Sequence, residues 1–146
     1  MTKQQRRLIQ SINMARKLSQ KSGGGVLAKL IKYINRVVYA CDIGIKAEIP
    51  MTVTFMHSGL GVVIGDGVKI GENCKIYSNV VIGSRERKDG SWANPVVGKN
   101  VVIGAGAILL GDITIGDDAV IAAGSVVLES VPPSAMVAGN PAVRKK

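Results

Sequence analysis

An aliphatic residue recurs at every sixth position through two stretches of the chain, and this spacing constrains the fold more than any other feature. Glycine follows the aliphatic residue in most repeats, and a compact side chain comes four residues after it. The repeat positions are Ile64, Ile70, Ile76 and Ile82, then Val97, Ile103, Leu109, Ile115, Ile121 and Val127. A period of six fits neither a helix nor an alternating strand, but it fits very short strands joined by tight turns in a stacked coil. The sequence therefore predicts a β-solenoid.

Length and composition agree with a single narrow domain of this kind. The chain has 146 residues, of which 47% are hydrophobic and only 3% aromatic. Such a composition suits a thin core that accepts aliphatic side chains but few rings. A solenoid contacts only its neighbouring coils, so its flat sides are available for contact with other subunits. We therefore expect an oligomer.

The net charge of +9 lies in the first part of the chain, which precedes the repeat. Residues 1–36 contain nine basic and no acidic residues. Aliphatic residues recur there at helical spacing on both sides of the glycine-rich segment 22–25, which predicts two amphipathic helices in a leader of residues 1–40. The basic face is either a solvated face of a capping helix or a surface for peripheral contact with an anionic membrane or an acidic acceptor. Nucleic acid is disfavoured because no aromatic residues alternate with the basic ones.

The repeat region, residues 41–131, is interrupted once. Fifteen residues separate Ile82 from Val97, and the polar segment 84–94 between them contains the only tryptophan, Trp92. This segment is predicted to leave the coil as an excursion loop, either as a surface insertion or, as Trp92 favours, as a loop over an active site. The tail, residues 132–146, contains Pro132, Pro133 and Pro141, so it is predicted to close the coil.

Cys41 and Cys74 are too few for a disulfide framework, and Cys74 occupies a compact inward position of the repeat. The first apolar stretch is interrupted by basic residues and resembles no signal peptide, and no run reaches the ~20 apolar residues of a membrane span. A cytoplasmic location is expected. His57 is the only histidine, and a metal site built from several histidines is therefore not expected. No metal is predicted.

Three segments of the chain resemble one enzyme family. The segments HSGLGVVIG, IGAGAILLGDITIG and GSVVLESVPPSAMVAGNPA resemble hexapeptide-repeat acetyltransferases of the serine acetyltransferase type, including shorter relatives that O-acetylate capsular or exopolysaccharide sugars. The resemblance implies an all-β fold, a left-handed parallel β-helix. It also implies a homotrimer, acetyl-CoA as the donor, and active sites between subunits.

Under this resemblance His57 matches the catalytic histidine, and Asp42, fifteen residues earlier, matches its supporting aspartate. A hydroxyl is a poor nucleophile, so an imidazole must take its proton as it attacks the thioester carbonyl. A carboxylate on the other ring nitrogen fixes the tautomer and stabilises the imidazolium. From the residues alone, a structural histidine and a turn-capping aspartate remain the alternatives.

The resemblance also assigns the donor site to small residues along a groove between coils. The matching residues are Gly83, Ser84, Ala105, Gly106, Ala123 and Gly124, with Arg144, Lys145 and Lys146 available for the phosphates of CoA. The glycines have an alternative explanation, because the corners of a coil require glycine in any case.

The acceptor is predicted from two departures from the serine acetyltransferase pattern. Met56 replaces an aspartate that helps to hold the amine of serine, and Ala93 and Asn94 replace an Arg-His pair that meets its carboxylate. A site without these ionic partners is expected to bind serine poorly and to prefer a sugar hydroxyl, contacted by Trp92, Asn94 and Arg87.

Three functional classes follow. The preferred one is an acetyl-CoA-dependent O-acetyltransferase that modifies a sugar of a bacterial surface polysaccharide or its precursor. The alternatives are an acetyltransferase for serine or another small molecule, and a non-catalytic assembly solenoid.

Overall fold

The computed structural model describes residues 2–145, which form two helices followed by sixteen short strands. Helix α1 is Lys3–Ser19 and helix α2 is Gly25–Tyr39. The first sheet contains β1 (Asp42–Ile43), β3 (Val63–Ile64), β6 (Val81–Gly83), β11 (Ile108–Leu110) and β14 (Val126–Val127). The second contains β4 (Lys69–Ile70), β9 (Val96–Val97) and β12 (Thr114–Ile115). The third contains β2 (Thr54–Phe55), β5 (Lys75–Ile76), β10 (Val102–Ile103), β13 (Val120–Ile121), β15 (Met136–Gly139) and β16 (Ala142–Lys145).

The chain visits the three sheets in a constant order, and all pairings between successive rounds are parallel. Isolated bridges from Glu48 to Lys69 and from Ile115 to Val131 extend the second sheet at both ends. The exception in the third sheet is β16, which turns back and pairs antiparallel with β15. The body of the protein is therefore all strand and turn, whereas the leader is helical.

The core is a stack of the repeat aliphatics, in which each residue lies on its counterpart from the next round of the chain. In the third sheet Ile103 pairs in register with Ile76 on one side and Ile121 on the other, and all three are completely buried. In the first sheet Leu109 stands in the same way between Ile82 and Val127. All ten repeat positions have at most 5% of their surface exposed. The six-residue step thus places every repeat side chain inside the body.

The turns between the second and third sheets have a shared feature that the repeat did not predict. Asn73, Asn100, Asp118 and Ser134 each occupy the left-handed backbone region, with φ between 56° and 60°. The Asn100 side chain links its neighbours, since its Nδ2 donates to Asp118 Oδ1 over 3.0 Å and its Oδ1 accepts from Asn73 Nδ2 over 3.4 Å. Asparagine and aspartate tolerate this conformation better than other residues with side chains.

The leader covers one end of the body. Leu8, Ile9 and Ile12 of α1 are buried against the core, whereas Ala28 and Asn35 are the buried residues of α2. The opposite side of α2, here called the outer face of α2, leaves seven apolar side chains 46–81% exposed. These are Val26, Leu27, Leu30, Tyr33, Ile34, Val37 and Val38. Among residues 2–145, no helix is long and apolar enough to cross a membrane.

Several basic leader residues pair with acids of the body. Arg16 lies 3.4 Å from Glu48, and Lys32 and Arg36 both reach Asp42. These pairs tie the leader to the first round of the repeat. Contact of the leader with an anionic membrane stays a prediction.

The predicted excursion is a small antiparallel hairpin. Strand β7 (Arg85–Glu86) pairs with β8 (Trp92–Ala93), and the Arg87 N–H donates to the Ser91 carbonyl over 2.7 Å. The hairpin leaves the body between β6 and β9, at an edge joining the first sheet to the second.

The stacked core makes a direct prediction about stability. Ile103→Ala should lower the free energy of unfolding by about 2–5 kcal/mol, because neighbours in parallel register cannot close the cavity. Val96→Ala, at a repeat strand position that is 42% exposed, is the control and should cost under about 1 kcal/mol. Urea denaturation at a fixed protein concentration measures both values. Equal losses for the two variants would show that the stack is not tightly packed.

Candidate active site

The candidate base lies on a tight turn that follows β2. A short 3-10 segment, Met56–Gly59, here called the His57 turn, places His57 at φ 51° and Ser58 at φ 58°. Left-handed conformations are costly for residues with side chains, so they persist only where surrounding contacts enforce them. The His57 side chain is exposed. A strained turn that presents the only histidine at the surface is suited to a functional role.

Helix α1 contacts both ends of the His57 turn. The buried Gln5 side chain donates from Nε2 to the Phe55 carbonyl over 2.7 Å, and its Oε1 accepts from the Thr2 N–H. Gly59, at φ 77°, packs so closely that an added Cβ would lie 3.1 Å from Leu8 Cδ2. The leader therefore supports the His57 turn from below.

Asp42 is the first residue of β1, and helix α2 covers its carboxylate. Lys32 Nζ lies 2.8 Å from Oδ1, and an Arg36 guanidinium nitrogen lies 3.7 Å from Oδ2. Oδ1 is buried and pairs with the Lys32 ammonium, and no other donor reaches it among residues 2–145. Burying a carboxylate oxygen is costly unless a charge pairs with it, and Lys32 supplies that charge.

Within the part of the chain that the structure describes, no hydrogen bond joins His57 to Asp42. The sequence assigned them as a hydrogen-bonded pair, whereas in this structure the carboxylate pairs with α2 instead. Their catalytic roles stay predictions.

Four of the predicted donor-site residues lie on the same edge of the body as His57. This edge, here called the His57 edge, consists of the turns from the third sheet to the first. Backbone hydrogen bonds stack the turns: Asn79 N–H donates to Leu60, Gly106 N–H to Ser78, and Gly124 N–H to Ala105, over 2.8–2.9 Å.

The small residues of this edge leave its surface open. A Cβ added at Gly106 or Gly124 would meet no atom within 4 Å. Both have a positive φ, 69° and 67°, so the backbone conformation accounts for glycine while the space above it stays free. Together with Ala105 and Ala123 they form an open strip that starts two rounds above the His57 turn.

The other predicted donor residues lie elsewhere on a single chain. Gly83 and Ser84 are at the edge from the first sheet to the second, where the hairpin begins. Arg144 and Lys145 lie on β16 and border an open cleft of about 580 Å³ with Ser134. Lys146 is outside the described residues.

The predicted acceptor residues are on the hairpin or beside it, away from His57 in the same chain. Trp92 is 62% exposed. Arg87 is engaged by Asp112, with a guanidinium nitrogen 2.6 Å from Oδ2. Asn94 packs over the turn at Gly67, and its Oδ1 is buried without a hydrogen-bond partner among the described residues.

The two cysteines are free and buried, and neither is suited to act as a nucleophile. Burial, with a smaller contribution from the Asp42 charge, raises the pKa of the Cys41 thiol from 9.0 to about 11. Burial also raises the pKa of Cys74. Among residues 2–145, no group of three or more His, Cys, Asp or Glu side chains is arranged to hold a metal ion.

Known protein families match both parts of the repeat. Residues 94–129 match the family model described as bacterial transferase hexapeptide (six repeats). Residues 57–84, which begin at the candidate base, match the model described as hexapeptide repeat of succinyl-transferase.

The individual proteins that match this chain are serine acetyltransferases. The serine acetyltransferase of Synechococcus elongatus is 38% identical over 116 residues, which is 80% of this chain and 47% of the relative. The soybean serine acetyltransferase apoenzyme superposes with a TM-score of 0.87 at 37% identity, covering 94% of this chain and 56% of that one. A serine acetyltransferase in complex with CoA superposes with a TM-score of 0.85 at 33% identity, covering 94% and 55%. Over most of its own length the chain is similar to the serine acetyltransferases. It spans about half the length of the relatives that it matches.

The expectation of a polysaccharide acceptor is wrong. The relatives, at 34–42% identity, carry the name serine acetyltransferase, and the predicted closeness to capsular and exopolysaccharide O-acetyltransferases is not supported. The expectation gave too much weight to Met56, Ala93 and Asn94. Losing an ionic contact weakens substrate binding, but it does not identify another substrate, because other groups of an assembled site can contribute charge.

Thiol labelling tests whether Cys41 and Cys74 are buried. At pH 8 a disulfide reagent should label neither Cys41 nor Cys74 in the native protein, because burial keeps both thiols protonated and out of contact. Both should react within minutes after denaturation. Absorbance of the released thiolate measures the reaction, and rapid labelling of the native protein would contradict the buried positions.

Proposed function

We propose that this protein is an acetyl-CoA-dependent acyltransferase that transfers the acetyl group to the hydroxyl of serine. The observation that carries the proposal is the agreement with serine acetyltransferases in both sequence and fold across most of the chain, with 38% identity and a TM-score of 0.87 in two of the comparisons. The exposed His57 favours an enzyme over a non-catalytic solenoid, since an assembly module does not need a histidine on a strained surface turn.

The proposed reaction uses His57 as general base. Its imidazole takes the proton of the serine hydroxyl as the oxygen attacks the thioester carbonyl of acetyl-CoA. The tetrahedral intermediate collapses and expels the CoA thiolate, which takes the proton back from the imidazolium. Asp42 supports the imidazolium electrostatically, and its carboxylate is the proposed acceptor for an imidazole N–H.

The His57 edge is the proposed donor groove. Ala105, Gly106, Ala123 and Gly124 form an open strip on the edge that begins at His57, which suits a ligand held through backbone groups. Gly83, Ser84, Arg144 and Lys145 stay predictions for the same ligand. They lie away from this strip in one chain, so they meet the same ligand only if another subunit supplies them.

The predicted acceptor residues also lie apart from His57 within one chain. Trp92, Asn94 and Arg87 lie at the hairpin edge, whereas His57 lies at another edge. Without the aspartate replaced by Met56, serine binding should be weaker than an ionic site allows. A hairpin that reaches the His57 turn of a neighbouring subunit would complete the acceptor site.

We also propose a left-handed parallel β-helix and a homotrimer. The hexapeptide repeats and the serine acetyltransferase neighbours support the hand of the coil. Exposed apolar residues support assembly, because the outer face of α2 and the body residues Leu60 and Val63 would otherwise stay in water. A trimer would bring the hairpin and the His57 edges of different subunits together. A cytoplasmic location stays a prediction.

The acceptor is tested by measuring thiol release from acetyl-CoA with the purified protein. Serine should stimulate release well above hydrolysis without acceptor, and mass spectrometry should identify O-acetylserine. Threonine is a matched control with the same charged groups and an extra methyl. If serine at concentrations up to tens of millimolar does not increase thiol release, the proposal is refuted.

His57→Ala should lower kcat by about 10²-fold or more, because no second histidine exists to replace the base. Asp42→Asn should cause a loss that is comparable or smaller, since it removes charge support and leaves the base. Steady-state kinetics measure both, and circular dichroism checks the fold. A His57→Ala variant with near-normal turnover would exclude the mechanism.

Light scattering should give three times the chain mass for the wild-type protein. The Tyr33→Gln/Val37→Gln double variant should shift the mass downward at low concentration, since both side chains are over 60% exposed on the outer face of α2. Lys29→Gln, on the same helix but outside that face, should keep the wild-type mass. A stable active monomer would contradict the trimer and the shared site.

A further inference from the structure

We propose that the leader positions the catalytic pair, with Lys32 of α2 acting on His57 through Asp42. This inference rests on the proposed function in one respect, because it assumes that His57 and Asp42 work together. It adds a role for the leader that the repeat itself does not carry.

The contact between α2 and Asp42 is the first support. Ile43 points into the core, so the preceding Asp42 side chain points outward, toward α2. Lys32 and Arg36 are one helical turn apart and therefore share a face, and both reach the carboxylate. Lys32 is the closer, at 2.8 Å against 3.7 Å, and its side chain is the more buried, at 36% against 67% exposure.

The state of the carboxylate is the second support. Oδ1 faces Lys32 and is buried, yet it has no hydrogen bond among the described residues. The ammonium thus fixes the position of the carboxylate, while Oδ2, which lies 3.7 Å from Arg36, keeps its capacity to accept a hydrogen bond. An imidazole N–H that approaches Oδ2 would find an acceptor whose rotamer is already set, which reduces the ordering cost of forming the pair.

The other helix of the leader contacts the other member of the pair. Gln5 of α1 donates to the Phe55 carbonyl, directly before the His57 turn, and Leu8 packs under Gly59 within it. Helices α1 and α2 are joined by the Ser11 hydroxyl, which donates to Asn35 Oδ1 over 2.8 Å. One pair of packed helices therefore contacts both the turn that carries His57 and the Asp42 carboxylate, although fifteen residues separate His57 from Asp42 in the chain.

The positive charge of Lys32 affects protonation of His57 in a definite direction. The charged or titratable groups presented to Asp42 by the packed elements are Lys32 and Arg36 from α2 and the neighbouring Cys41 thiol, whereas β3 presents Val63 and Ile64, which carry no charge. Lys32 partly offsets the Asp42 charge. Removing the ammonium should therefore favour the protonated imidazole.

The test compares Lys32→Met with Lys29→Met in the full chain. Lys29 is an exposed residue of the same helix and has no ion pair among the described residues, so it controls for loss of a helix charge. His57 is the only histidine, so NMR follows its imidazole signals during a pH titration without assignment ambiguity. In Lys32→Met the midpoint should move to higher pH, and in Lys29→Met it should stay at the wild-type value.

Kinetics give an independent readout. Lys32→Met should lower kcat for serine acetylation by about 10-fold, with KM for acetyl-CoA within about twofold, because positioning of the pair changes and the donor groove does not. Lys32→Arg, which keeps the charge, should recover most of the loss. Thermal denaturation of all variants separates these effects from unfolding.

The outcomes distinguish the two proposals. If Lys32→Met matches Lys29→Met in both titration midpoint and kcat, the positioning role is overturned. A fall in thermal stability with an unchanged midpoint would also overturn it, because Lys32 would then be a structural contact only. If wild-type protein fails to acetylate serine while the midpoint still moves in Lys32→Met alone, the proposed function fails and the positioning role stands.

Discussion

Parallel stacking of short strands is the interaction on which the rest of the structure depends. Each inward aliphatic lies on its counterpart one round away, as Ile103 does between Ile76 and Ile121. The same register carries the backbone hydrogen bonds, so a single step of the repeat satisfies the core and the ladder together. Because strands of two or three residues bury little on their own, the stability of each round comes from its neighbours.

This stack determines which positions are open to functional side chains. Inward positions are filled, and the flat faces are short strands, so residues free to vary lie at the turns. The turn after β2 carries His57, and the turns above it contribute the open strip of Ala105, Gly106, Ala123 and Gly124. The hairpin leaves from a different edge, which is why one chain separates Trp92 from His57. A site that needs both therefore requires a second copy.

The leader has a structural role beyond covering the end of the stack. Its basic residues reach the acids of the first round, where Arg16 meets Glu48 and Lys32 meets Asp42. Its α1 helix supports the His57 turn through Gln5. The charge concentrated in residues 1–36 is thus partly used inside the molecule, and the outer face of α2 is left for contact with other subunits or surfaces.

The sequence by itself determined the features that depend on local spacing. The six-residue period predicted which aliphatics are buried, the glycine-rich segment 22–25 predicted the break between two helices, and the fifteen-residue interval after Ile82 predicted the excursion. It also predicted a catalytic role for His57, because the resemblance to acetyltransferases rests on contiguous residues, and that role stays a prediction. It did not predict the acceptor, since two missing ionic contacts describe how a substrate is held and leave its identity open.

Only the tertiary structure decided which distant residues meet. No spacing rule connects Lys32 with Asp42 or Gln5 with Phe55, because these contacts depend on how the helices dock on the first round of strands. The hydrophobic pattern of α2 likewise predicted a helix but not that its apolar side faces outward, since a period reveals that a face exists without revealing what covers it. Local spacing determines each element, whereas packing between elements determines the surroundings of His57 and Asp42.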